Sequence, residues 1–304
     1  MEMRDGIEFD AGVVIADRKV NYGYFLIRDP LPFISLLWLV AMAFATLVGP
    51  ELFGNEAVKM SLRARHTPPG LSWGWMGILG NDALGRSMLV RIIVATRNTM
   101  GIALFATTSA MIIGGMVGLF AGYIGKWPEK IIMQISDIIQ SFPSMLLAMV
   151  VLYILEPRAF NLVIVLAFTR LPVYIRMARS EVLELRGRLF VDAARVLGSS
   201  SLQIMYRHIA PMASPTVVTY WTVDVAFVML SESGLSFLGI GIQPPEITWG
   251  LMVAEGRNYL STAWWQAFFP GLMIMLSTLS INILSSWVRS ITDPLQRWRF
   301  EVQK

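Results

Sequence analysis

The sequence predicts an all-α integral membrane protein with six transmembrane helices, and three observations predict it. Of 304 residues, 55% are hydrophobic and only 15% charged, with a mean hydropathy of +0.58, too apolar for a water-soluble domain. Uncharged runs of spanning length recur: 19 residues from Leu31 to Gly49, and 25 each from Met100 to Ile124 and from Trp264 to Val288. Between two further apolar segments lies a polar, arginine-bearing interruption, Glu181 to Pro211, that reads as a helix-turn-helix elbow on one face of the membrane.

From the N-terminus, Met1 to Asp29 is polar and of mixed charge, which excludes the apolar core of a signal peptide and predicts a cytoplasmic tail over residues 1–30. The first span follows over 31–50, then an extracytoplasmic loop over 51–97. Within that loop Gly70-Leu71-Ser72-Trp73-Gly74 has the G-x-S-x-G form of a hydrolase nucleophile elbow, with His66 nearby. That motif needs a preceding central strand, which Thr67-Pro68-Pro69 cannot form, so the hydrolase reading fails. The second span, Met100 to Ile124, opens the 98–290 core. Its Gly114, Gly118 and Gly122 recur every fourth residue and predict a face that another helix approaches closely. Gly125-Lys126 lacks the rest of a phosphate loop, with Phe120 and Trp127 at the positions that should be Gly and Ser or Thr. No nucleotide site is expected in this chain.

The third span runs from Ile131 to Leu155, and its Gln134, Asp137, Gln140 and Pro143 should face away from lipid. The fourth, Ala159 to Ile175, contains Arg170 and Pro172; Arg170, near its end, is expected to snorkel to the interface. The elbow comes next. Phe190, Ala193, Ala194 and Leu197 fall on one helical face, and Arg188, Asp192, Arg195 and Ser199 on the other. Gly198 supplies a helix end with positive φ, and Ser200 with Gln203 has the form of a capping box opening a second short helix. The fifth span, Met212 to Ser231, is apolar except for Asp224. An extracytoplasmic loop over 233–263, the sixth span, and a cytoplasmic tail over 291–304 complete the chain.

Zero cysteines exclude disulfides and thiolate metal sites, and two histidines, His66 and His208, leave little for a metal cluster, so no metal is expected. The net charge of +4 requires no nucleic acid, because the arginines suit a cytoplasmic leaflet. With the N-terminus inside, inner segments hold 17 Lys and Arg and outer ones 8, which places the elbow and both termini in the cytoplasm. A carboxylate buried at Asp224 needs a compensating partner. Asp224, with Trp221, Phe227 and Asp137, is therefore expected to line a path for a zwitterionic solute, whose amino end would serve in passing. An ion-coupled carrier or intramembrane enzyme is the other class, and it needs more mid-membrane ionisable groups than one deep acid.

Five motifs carry a resemblance. Asp192-Ala193-Ala194, Gly198 and Pro211 resemble the E-A-A-x-x-x-G-x(9)-I-x-L-P loop of ABC importer permeases, with Asp for Glu, His208 for Ile and Ala210 for Leu. Gly80 to Ser87 resembles the G-T-D-x-L-G-R-D segment of the dipeptide/oligopeptide branch, and Ser136 to Pro143 its D-x-x-x-x-x-P pattern. Glu232 to Gly250 is similar to E-x-x-L-S-F-L-G-x-G-x-Q-P-P-x-x-x-W-G, the signature of the C-type permease of those importers. Arg289 to Leu295 resembles the family's L-R-D-x-L-D-P ending. The resemblance implies a type I ABC importer permease fold in an inner or plasma membrane, with the elbow as a coupling helix. Phe190, Asp192, Ala193, Ala194, Arg195, Leu197, Gly198 and Pro211 would then form the ATPase-coupling loop. It also implies a B-type permease partner, two cytoplasmic ATPase subunits and an extracytoplasmic substrate-binding protein. ATP and Mg would be bound by the ATPases and no cofactor by this chain. Di- or oligopeptides are the implied substrates, with nickel complexes or glutathione as alternatives among relatives.

Overall fold

A chain crossing hydrocarbon must satisfy every backbone N–H and C=O within its own segment, and this sequence does so with long helices. The computed structural model describes residues 26, 29–71 and 74–292. In order these form α1 (Pro30–Val58), α2 (Met88–Ile124), α3 (Lys126–Gln140), α4 (Ser144–Ile154), α5 (Ala159–Leu185), the short α6 (Leu189–Val196), α7 (Ser201–Phe237), the short α8 (Trp249–Gly256) and α9 (Trp265–Thr292). Five of these are long and apolar enough to cross a membrane, and there are six candidate crossings when the bent pair α3–α4 is counted as one span. With six, the start of α1, the elbow between α5 and α7, and the end of α9 share one face. Ser72, Trp73 and the Thr292-Asp293-Pro294-Leu295 ending lie wholly or partly outside the described residues, as do most of both expected tails.

Several boundaries differ from those expected. α1 continues through Pro50 to Val58, and α2 starts twelve residues before Met100, so the expected loop over 51–97 is mostly helix at its two ends. At about 1.5 Å per residue the 37 residues of α2 reach roughly 55 Å, well beyond a hydrocarbon core of about 30 Å. Its first turns therefore stand in the polar region on the face away from the elbow, where Arg91 and Arg97 do not interrupt a helix. The third span is not one rod: α3 and α4 meet at 85° across Ser141-Phe142-Pro143. Pro143 has no N–H to continue the ladder and its ring disfavours helical geometry in the residue before it. α4, with 11 residues, reaches only about 16 Å and needs α3 to complete a crossing. The expected second short helix of the elbow is the first turn of α7, joined to the fifth span through a widened π-turn over Ile204–Ile209, just before Pro211.

α2 is the most buried span and α1 the least. The reason lies in the glycine stripe of α2, which receives α5 as the spacing predicts. A methyl group placed on Gly114 would sit 2.8 Å from Tyr174 Cβ and 2.9 Å from the Leu171 carbonyl oxygen, and one on Gly122 would sit 2.9 Å from Val182 Cβ. On Gly118 it would clash most severely, against the Ile175 carbonyl oxygen. Bare backbone against backbone maximises dispersion contact where lipid supplies no hydrophobic drive between helices. α1 is tied to the bundle in its first third by Trp38 Nε1, which donates to Ser277 Oγ of α9 at 3.1 Å.

Candidate functional site

Polar and chemically distinctive residues gather at three levels, and the elbow is the first. α5 ends at Leu185, the chain turns through Arg186 to Arg188, and α6 runs for eight residues. Gly198 adopts φ +88°, a left-handed conformation that a β-carbon disfavours, and so stops α6 as expected. The Ser200 side chain accepts from Gln203 N at 3.3 Å while Gln203 Oε1 accepts from Ser200 N at 2.9 Å, completing the capping box.

The apolar residues of α6 divide between two faces. Val191 and Ala194 are buried, with Phe190 half-buried, in a small core with Val182, Leu185, Ile204, Ile209 and Ala213. Ala193 and Leu197, which share a helical face with Phe190 and Ala194 by periodicity, are exposed. Leu189, Ala193, Val196 and Leu197 instead form a second apolar stripe at i, i+4, i+7, i+8, with Leu189 86%, Val196 88% and Leu197 85% exposed. Apolar side chains this open mark a surface that something else covers. Asp192 and Arg195 pair with each other at 3.0 Å beside the stripe, and Arg188 pairs with Glu184. Arg186 donates from Nη1 to the Gly122 carbonyl at 3.0 Å, fixing the elbow to the inner end of α2. Pro211 lies in α7, behind the widened turn.

The second level is in mid-membrane. Asp224 of α7 is buried, and it has a partner within the chain: the Arg170 guanidinium of α5. Arg170 Nε donates to Asp224 Oδ2 at 3.2 Å and Nη2 donates to Oδ1 and to Tyr220 Oη, the last at 2.6 Å. Tyr174 Oη donates to Asp224 Oδ2 at 3.0 Å. Arg170 therefore does not snorkel, because a carboxylate one helix away offers more than the interface does. The premise that Asp224 lacks a partner is likewise overturned. Of the residues grouped with Asp224, Phe227 joins the cluster, its ring 4.5 Å below the guanidinium carbon. Trp221 does not; its Nε1 donates to Thr108 Oγ1 of α2 at 3.2 Å. Asp137 is exposed on α3 and pairs with Arg176, which with the Arg179–Glu129 pair fastens α3 along the inner part of α5.

The third level is an outer knot that sequence reasoning did not single out as a site. Asp82 Oδ1 accepts from the backbone N–H groups of Leu84 and Arg86, both at 2.8 Å, and Oδ2 accepts from Arg86 Nε at 2.5 Å and Arg91 Nη1 at 2.7 Å. Arg91, 1% exposed, reaches with Nη2 to Glu255 of α8 at 2.8 Å. The Asn81 carbonyl, in a tight loop closed by a bridge between Asn81 and Ser87, accepts from Trp265 Nε1 and Gln266 Nε2 of α9, each at 3.1 Å. The dipeptide Trp249-Gly250 is explained here as well. The Trp249 indole donates to the Ile92 carbonyl of α2 at 3.0 Å, and Gly250 lies against the Ser233 backbone of α7, where a methyl group would be 2.6 Å from Ser233 Cα. Trp249→Phe removes that hydrogen bond, while the Ile92 carbonyl keeps the Thr96 hydroxyl at 3.0 Å, so the expected loss is about 0.5–1.5 kcal/mol, read as a lower melting temperature of the detergent-purified chain. His66, near the discarded hydrolase motif, is engaged by Gln266 Nε2 at 2.9 Å and by the Tyr259 ring at 4.6 Å.

Residues 114–298 match the family model described as binding-protein-dependent transport system inner membrane component. The chain is 32% identical over 266 residues to the probable D,D-dipeptide transport system permease protein DdpC of Escherichia coli strain K12, covering 88% of each chain. It is 34% identical to the di/tripeptide transport system permease protein DppC of Pseudomonas aeruginosa, covering 86% of each. It is also 34% identical to the glutathione transport system permease protein GsiD of Pectobacterium atrosepticum, covering 72% of each.

Proposed function

Since this chain belongs to the family of binding-protein-dependent transport system inner membrane components, we propose that it is a permease subunit forming half the translocation pathway of an ATP-driven importer of di- or oligopeptides. The fuel is burned on two cytoplasmic ATPase subunits that carry ATP and Mg, a B-type permease supplies the other half of the pathway, and an extracytoplasmic binding protein delivers the solute. The single observation that carries this reading is the open apolar stripe on α6. Leu189, Ala193, Val196 and Leu197 contribute nothing to this chain's own core, and Gly198 sets the angle at which they are presented. The positive-inside count puts that stripe, and both termini, in the cytoplasm. ATP-driven closure of the ATPase pair moves the elbow, and the elbow moves α5 and α7, which are continuous with it.

Two of the named relatives are peptide permeases and one transports glutathione, itself a tripeptide-like solute, so a small peptide is the substrate class favoured here. The test uses the exposure of the stripe. Val196→Glu and Leu197→Arg alter side chains that touch nothing in the permease core, so insertion and folding are expected to be unchanged. ATPase subunits co-purifying with the tagged chain are expected to fall at least about tenfold, as loss of a central apolar anchor at an interface produces. Normal co-purification with both substitutions present would remove the elbow from the coupling role.

A further inference from the structure

The two helices that carry the elbow each contain a weak point between it and the middle of the membrane. α5 has Pro172 inside it; α7 has the widened turn over Ile204–Ile209, then Pro211 and Pro215. Displacement of α6 alone would be absorbed by bending at these places, because a proline or a widened turn is where helices yield. Beyond the weak points, about 22 Å along α5 and about 34 Å along α7 from the elbow by helical rise, the two arms meet at Arg170 and Asp224.

Resting on the importer reading, we propose that Arg170 and Asp224 form a clamp that makes α5 and α7 move as one body, so that motion of the elbow reaches mid-membrane undiminished. The contact is two-pronged: Nε and Nη2 of Arg170 address the two carboxylate oxygens. A fork of this kind fixes rotation as well as separation, which a point charge or an apolar pair does not. Tyr174 from α5 and Tyr220 from α7 complete it, their rings edge to face at 5.4 Å, and Phe227 closes the open side of the guanidinium. Separating the arms would leave two charges unpaired in a low-dielectric setting, which opposes it strongly. The same satisfaction makes Asp224 a poor anchor for a passing solute, since both oxygens are already engaged and its side chain is 1% exposed. Arg170 and Asp224 are thus positioning residues, acting on the pathway through the helices they join.

The absence of cysteine from the sequence allows cysteines at Phe168 of α5 and Leu230 of α7, both exposed, to be spin-labelled without background from this chain, before it is assembled with unlabelled partner subunits. The distance between labels is measured in the chain alone and in the complex purified through it, with and without a non-hydrolysable ATP analogue. A single narrow distance, the same in all three states, is expected. Asp224→Asn should replace it with a broad, nucleotide-dependent distribution, and the milder Arg170→Lys, which keeps the charge but loses the fork, should broaden it while leaving melting temperature and subunit content in place. A parent distance that shifts on nucleotide binding, or variants that keep the narrow one, would overturn the clamp. Failure of any ATPase to co-purify would instead count against the importer reading, and the chain-alone distances still decide the clamp.

Discussion

Asp82→Ala is expected to remove most of the folded chain from the membrane. Asp82 accepts four hydrogen bonds, and its loss strands Arg91, whose side chain is 2% exposed, and frees the turn that begins the tight loop. Breaking a buried pair by deleting one partner costs about 3–5 kcal/mol. Glu255, a third exposed, still faces Arg91 at 2.8 Å, which holds the cost near the lower end. Against a total stability of order 5–15 kcal/mol, that is enough to divert a large share of the protein to degradation. The measurement is the amount of monodisperse protein extracted in mild detergent and its melting temperature. Asp82→Asn, which keeps an oxygen for the Leu84 and Arg86 N–H groups, should fall between parent and alanine variant. Equal yields for all three would mean that the knot does not hold the outer ends of α2, α8 and α9 together.

Gly118→Leu is expected to separate α2 from α5 and abolish the folded bundle. At this position even a β-carbon clashes with the Ile175 carbonyl oxygen and lies 2.8 Å from Ala178 Cβ. Neither obstacle is the end of a flexible side chain, so the helices themselves must move apart. Overpacking of a well-filled core costs about 1–3 kcal/mol, and more where backbone must shift, so Gly118→Ala should lower stability visibly and Gly118→Leu beyond recovery. Gly101, on the same helix, provides the control: a side chain there meets nothing within 4 Å. Gly101→Leu should leave extraction yield and melting temperature unchanged. If both leucine variants behaved alike, helix propensity rather than close approach would explain the stripe.

These residues also mark how far the sequence could be read. The stripe of Gly114, Gly118 and Gly122 was legible because a four-residue period and small size are local properties, and the contact they imply with a neighbouring helix follows from them. Which helix fills the stripe was not. The capping box and the stop at Gly198 were legible for the same reason, since both are settled within a few residues. Which face of α6 meets its own chain was not legible, because eight residues carry apolar side chains on two sides and helical periodicity cannot choose between them. The break at Pro143 was visible as a proline, yet an apolar count over 25 residues treated it as part of one span.

Arg170 shows the deeper limit. Taken alone, an arginine inside an apolar run belongs at an interface, and Asp224, taken alone, lacks a partner; each inference fails because the two residues lie 54 positions apart and meet. Arg91 and Glu255 are 164 positions apart and do the same. By itself the sequence determined the helical class, the approximate places of the crossings, the elbow and its caps, because these depend on length, polarity and spacing along one segment. The tertiary structure alone decided which charges neutralise each other and which apolar side chains are left open, because the cost of a buried charge, or of an uncovered leucine, depends on what another segment places beside it.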